Sequence, residues 1–116
     1  MNAFRLLENS PVVLRFEVVD LKMWRQGFYL RVDVEFMDHS NLFIREYVDE
    51  TERRYSYHWQ TQKKQLIRRW DNAPHHPQLE TFPSHCHEGA HLASSKVISL
   101  EEVLEEVRVE SDFGVE

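Results

Sequence analysis

Residues 70 to 91, WDNAPHHPQLETFPSHCHEGAH, gather five of the chain's seven histidines, its only cysteine and three of its four prolines. Histidine is the side chain whose ordinary pKa, about 6.5, lets one copy take a proton and another give one at neutral pH. Cleavage of RNA by its own 2′-hydroxyl asks for that pair. A base removes the hydroxyl proton, an acid protonates the departing oxygen, and a cation steadies the charged phosphorus centre. The chain offers His58, His85 and His87 for the proton transfers, Arg69 for the charge, and Asp71 to orient an imidazole by accepting its second N–H. Tyr57 is a spare donor if it turns outward.

The same side chains admit a second chemistry. His75, His76, His85, Cys86, His87 and His91 present imidazole and thiolate, which zinc accepts in a tetrahedral site. His85 and His87 share a face of any extended backbone. Their spacing matches no standard zinc signature, so a metal site built from His75, His76, His85 and His87 is the alternative and a metal-free site the leading expectation. A third reading makes the histidines solvated loop residues, with His75 and His76 as polar filler between prolines. No base can be assigned to Cys86 by spacing, which makes it a bystander.

These side chains need a scaffold. Residues 27 to 37, GFYLRVDVEFM, alternate most cleanly: Phe28, Leu30, Val32, Val34 and Phe36 face a core, and Tyr29, Arg31, Asp33 and Glu35 face out. Residues 12 to 24 read as a strand with Leu14, Phe16 and Val18 on one face, and residues 41 to 48 as a third strand after the turn DHSN. RRYSYHWQ (53 to 60) and QLIRRWD (65 to 71) flank TQKK. A four-residue loop there sets Gln60 opposite Gln65, His58 opposite Ile67 and Ser56 opposite Arg69. Tyr55, Tyr57, Trp59, Leu66, Arg68 and Trp70 then share the inward face, and Ser56, His58, Ile67, Arg69 and Asp71 the outward one.

Residues 72 to 98 lack sustained periodicity and read as a long loop stiffened by Pro74, Pro77 and Pro83. VISLEEVLEEV then marks a helix, with Ser99 and Glu102 as a capping box and Leu100, Val103, Leu104 and Val107 on one face. The expected architecture is α+β: one domain, an antiparallel meander of about five strands, and a C-terminal helix packed on one face.

The net charge of −6 is unevenly spread. Residues 99 to 116 carry seven acids against Arg108 alone, so the rest is neutral overall. Residues 53 to 70 hold Arg53, Arg54, Lys63, Lys64, Arg68 and Arg69 with no acid, a +6 segment suited to a polyanion. Arg53, Arg54, Lys63, Lys64 and Arg68 are thus the candidate RNA-binding residues. No apolar run approaches the ~20 residues that cross a bilayer, and MNAFRLLENSP lacks a signal peptide's apolar core. A single cysteine suits a reducing cytoplasm.

The succession RRYSYHWQ, LIRRWDNAPHHP, TFPSHCHEG and SLEEVLEEV resembles the TumE-like toxin family, over roughly residues 12 to 108. The family's W/Y-D-N turn falls on Trp70, Asp71 and Asn72, and its H-x-H pair on His85 and His87. Typical members have a short Gly-rich connection where this chain has APHHPQLETFPS, which places it in a longer-looped subgroup. The resemblance implies a compact α+β toxin neutralised by a helix-turn-helix antitoxin from the adjacent gene, with RNA as the expected target. The leading expectation is therefore a metal-independent endoribonuclease toxin without a cofactor. A metal-dependent hydrolase using zinc or another divalent ion, and a non-enzymatic module binding a regulator through its sheet edge or acidic tail, are the rivals. Homodimerisation is left open.

Overall fold

The computed structural model describes residues 2–72, 85–88, 91–94 and 98–111, and of His85 and residues 91–94 the backbone alone. Its core element is an antiparallel sheet of seven strands in sequence order: β1 (Val13–Trp24), β2 (Gly27–Phe36), β3 (Asn41–Val48), β4 (Arg53–Gln60), β5 (Leu66–Asp71), β6 (His85–Glu88) and β7 (His91–Ser94). Helices α1 (Asn2–Asn9) and α2 (Leu100–Glu110) bury apolar residues with one face of that sheet. The α+β meander and its closing helix are as the sequence implies.

Strict alternation decides which face is covered. Leu30, Val32, Val34 and Phe36 of β2, Leu42 and Ile44 of β3, Tyr55, Tyr57 and Trp59 of β4 and Trp70 of β5 are all buried. Against them pack Ala3 and Leu7 of α1 and Leu100, Val103, Leu104 and Val107 of α2. The capping box forms as expected: the Ser99 hydroxyl accepts from the Glu102 N–H, and the Glu102 carboxylate accepts from the Ser99 N–H.

Four differences from the sequence-based expectation follow. β6 and β7 lie inside the segment read as loop; four-residue strands are too short to show a period. Helix α1 went unread for the same reason, at eight residues. In β1, the register shift at Val13/Arg15 leaves Leu14 out of the pairing and exposed, and the one at Val18/Asp20 reverses the faces from Asp20 onward. Phe16 and Val18 share the covered face, opposite Val34 and Val32, but at this sheet edge Val18 stays exposed.

The fourth concerns the β4–β5 hairpin. Its loop is three residues, Gln62–Lys64: the Thr61 N–H bonds to the Gln65 carbonyl, and Lys64 takes the left-handed φ of 68°. A further irregularity beyond Trp59 absorbs Ile67, which packs against the core instead of facing out. The register therefore runs Ser56↔Asp71, Tyr57↔Trp70, His58↔Arg69 and Trp59↔Arg68. From Arg68 to Asp71 the slip from the expected pairing is two residues, an even number, so those side chains keep their faces while changing partners; Leu66, now opposite Gln60, exchanges faces with Ile67. His58 gains Arg69 as its neighbour by that slip.

Candidate functional site on the open face of the sheet

The face away from the helices is a grid of polar side chains, and the ladders fix its rows. One row runs Asp33, Phe43, His58, Arg69, His87 across β2 to β6. The next runs Arg31, Arg45, Ser56, Asp71, with the backbone of His85 paired to Asp71. Residues 10, 15, 11 and 18 positions apart in the chain become neighbours along the first row because five antiparallel strands place them there.

Four of the expected site residues meet in the middle of this grid. The Arg69 Nε donates to Asp71 Oδ2 at 3.0 Å, and its Nη1 reaches His58 Nδ1 at 3.3 Å. His87 Nε2 lies 3.8 Å from the same Asp71 oxygen. Guanidinium only donates, so His58 Nδ1 accepts, and the ring is neutral with its proton on Nε2. The Nε2 partner is Gln60 Oε1 at 3.1 Å, an acceptor, which agrees. Burial holds the His58 pKa below its ordinary value, Gln60 opposes that, and the Arg69 charge adds to the lowering. Asp71 is buried at 5% exposure, under the guanidinium it orients.

Asn72 fastens this end of β5. Its Oδ1 accepts from the Tyr55 N–H at 2.9 Å, its Nδ2 donates to the Arg53 carbonyl at 2.6 Å, and its own carbonyl accepts from Arg54 Nη1 at 3.0 Å. The side chain continues the β4 ladder where the β5 backbone leaves it. That gives the W-D-N turn a structural reason: Trp70 enters the core, Asp71 the site, and Asn72 locks the two in place.

The six cations between residues 53 and 70 do not form one patch, because successive strand residues point to opposite faces. Arg53 lies on the covered face, where its Nη2 donates to the Tyr57 hydroxyl at 2.9 Å and to the Ile98 carbonyl at 3.0 Å. Arg68 is there too, with Nη2 2.6 Å from Glu88 and 2.7 Å from Glu110, and Nη1 3.8 Å from Glu106. Arg54 shares the open face with Arg69, and Lys63 and Lys64 are exposed at the hairpin tip. Tyr57 faces inward, fully buried, and donates to Glu46; burial pushes its hydroxyl pKa up. Cys86 is buried and its thiol pKa is raised to about 12, mainly by burial, so it stays protonated.

His75 and His76 lie outside the described residues. Among those described, no group of three or more His, Cys, Asp or Glu side chains stands close enough to hold a metal ion. No helix among them is long and apolar enough to cross a membrane. Sequence reasoning missed Phe43, Arg45, Gln60 and, as a site residue, Arg31. The alternation of β2 already pointed Arg31 outward; pairing through the DHSN turn was the available signal that Arg45 would stand beside it.

Searches of curated proteins and of solved structures returned no match. The family model described as Toxin TumE matches residues 3–112, nearly the whole chain and every element of the sheet. With its W-D-N turn and H-x-H strand now side by side around Arg69, the chain belongs to the TumE toxin family, the toxin half of a toxin–antitoxin pair.

Proposed function

We propose that this protein is a metal-independent endoribonuclease toxin that acts in the cytoplasm. The observation that carries the reading is the row His58, Arg69, His87 with Asp71 behind it on the open face. Three successive strands put about 10 Å between the backbones of the two histidines, at about 4.8 Å per strand, which leaves room for a phosphodiester over Arg69. The phosphate draws the Arg69 guanidinium toward itself and frees the His58 Nδ1 lone pair. His58 then takes the 2′-hydroxyl proton, the 2′-oxygen attacks phosphorus, and the bond to the 5′-oxygen breaks. His87 gives its proton to that leaving oxygen, with Asp71 orienting its ring and balancing its charge. The products are a 2′,3′-cyclic phosphate and a 5′-hydroxyl. His85, whose backbone pairs with Asp71, is the second imidazole of the H-x-H pair.

The test is controlled expression in a bacterium beside incubation of the purified chain with RNA in excess chelator. Cleavage that persists in chelator, leaves cyclic phosphate ends and is lost in His58→Ala and His87→Ala supports the reading. Cleavage abolished by chelator and restored by zinc or manganese supports the metal hydrolase. Growth arrest with intact RNA, unchanged in both variants, supports an interaction module.

The partners are an antitoxin of helix-turn-helix type and a second copy of the chain. Edge strand β1 exposes Leu14, Val18, Val19, Leu21, Met23 and Trp24. Antiparallel self-pairing with Val18 opposite Leu21 of the other copy sets Phe16 opposite Met23 and Glu17 opposite Lys22, each pair occurring twice. It also brings the two irregularities at Val18/Asp20 together, so both strands carry the extra residue at the same point. Shifting by two residues sets Glu17 against Asp20 and Arg15 against Lys22, like charges that disfavour it. A dimer by light scattering, lost in Glu17→Lys and regained in Glu17→Lys/Lys22→Glu, supports this register; a monomeric wild type refutes it.

A further inference from the structure

Two arginines stand on the open face with no visible reason for their proximity. Arg31 and Arg45 are direct partners across β2 and β3. Like charges in that position repel. Among the described residues neither guanidinium makes an ion pair or a hydrogen bond: Asp20, beside Arg31, is taken by Lys22 at 3.6 Å, and Ser56, beside Arg45, has a hydroxyl without a described partner. Both arginines line a cleft of about 380 Å³ with Asp33, Phe43, Ser56, His58 and Arg69. Phe43 is half-buried, its ring 6.1 Å from that of His58. An electropositive pocket with an aromatic wall, opening beside a candidate general base, is the pattern by which single strands are held.

We propose that this cleft is the neighbouring-nucleotide subsite: Arg31 and Arg45 clasp the phosphate next to the one over Arg69, and the intervening base stacks on Phe43. The inference rests on the ribonuclease reading and adds the substrate class, a single strand with at least two consecutive phosphates. Geometry fits the step. Arg45 and Arg69 are two strands and two residues apart, about 12 Å between Cα atoms. Their long side chains converge from that distance on phosphates about one nucleotide apart. Ser56, beside Arg45 in the same row, is placed to donate to the phosphate that Arg31 and Arg45 clasp. Asp33, directly opposite Phe43, meets the N–H edge of the stacked base. The repulsion between the arginines is relieved when the anion arrives, so the subsite is stored as an unfavourable contact in the free protein.

The experiment measures binding of a 2′-O-methyl single-stranded oligonucleotide, which lacks the attacking hydroxyl, as a function of salt. Arg31→Ala/Arg45→Ala should weaken binding and reduce the slope of log affinity against log salt by about 0.7, the share of one phosphate on a single strand. Arg31→Lys/Arg45→Lys should recover most of the slope. Phe43→Ala should weaken binding about tenfold with the slope unchanged. Without ligand, the double alanine variant should melt no lower than wild type, which also certifies that it folds. An unchanged slope, or a wild type that does not bind, overturns the subsite. So does loss of antitoxin capture with oligonucleotide affinity intact, which would assign the arginines to the protein partner. Since binding needs no catalysis, a failed His58→Ala or His87→Ala cleavage test leaves these readouts standing, and cleavage without them leaves the catalytic row standing.

Discussion

Replacing Asn72 tests whether the site is built by one side-chain clamp. The side chain satisfies a buried donor, the Tyr55 N–H, and the Arg53 carbonyl beside it, at 9% exposure. Asn72→Ala leaves both backbone groups without those bonds, and each unsatisfied buried group costs about 1–3 kcal/mol. Arg53 is partly exposed, so water reaches its carbonyl and the total falls toward the lower end, about 3 kcal/mol. At about 4 °C per kcal/mol for a domain of this size, the melting temperature should drop by about 12 °C. Asn72→Asp separates the two bonds. Its carboxylate still accepts from Tyr55 but faces the Arg53 carbonyl oxygen, so the loss should match or exceed that of alanine at pH 7. It should partly recover near pH 4, where a protonated carboxyl donates. Thermal melts at both pH values provide the assay, with oligonucleotide affinity measured well below the transition. Because Asp71 is the preceding residue, affinity should fall even while the chain is folded. An alanine variant melting within about 2 °C of wild type would refute the clamp.

Arg68→Met should destabilise the chain by about 1–2 kcal/mol at pH 7, since it leaves Glu88, Glu106 and Glu110 facing one another around a site the guanidinium held. The deficit should shrink as added salt screens the three carboxylates from one another; a salt-independent deficit in urea titrations would assign the loss to packing on Trp70 instead. Gly27→Ala should cost about 1–3 kcal/mol, because an added Cβ would collide with the Val48 carbonyl oxygen; an unshifted melt would contradict that close approach. His58 has a lowered pKa in the folded chain, so its contribution to stability is present above pH ~6.5 and is lost as pH falls through the folded value. Wild type should therefore lose more stability than His58→Gln between pH 7 and 5, and equal losses would place the ring in solvent.

Period carried the sequence reading wherever a strand was long enough to display one. β2, with ten residues and unbroken alternation, was legible to the side chain, and β3 and β4 to their end residues. β1 has twelve residues but two irregularities, so a single period holds from Phe16 to Val18, misassigns Leu14, and fails again from Asp20 onward. The site was legible by type and only partly by place. His58, Arg69 and Asp71 belong to strands whose faces survived a two-residue slip. His87 depends on β6, which announces itself only by pairing with β5. The +6 segment shows the opposite error: charges adjacent in sequence are not adjacent in space, because a strand puts successive side chains on opposite faces of the sheet. Arg31 and Arg45, fourteen residues apart in the chain, are the closer pair.

On the proposed ribonuclease reading, that division of faces is how an acidic chain would favour a polyanion. Net charge governs attraction only at distances where screening permits, and the Debye length at physiological salt is about 8 Å. The molecule is 22 Å deep along its thinnest axis, with the acids of α2 on the covered side of the sheet. Two of those acids are spent on Arg68. A single strand lying on the open face would therefore meet Arg31, Arg45, Arg54 and Arg69 at contact range and the acids of α2 hardly at all. Recognition of this kind is short-range: it depends on fit over the His58–Arg69 row, with little long-range steering to speed encounter. It also makes inhibition simple in physical terms, since a partner covering one face of one sheet removes every group that RNA would touch while leaving the hydrophobic core undisturbed.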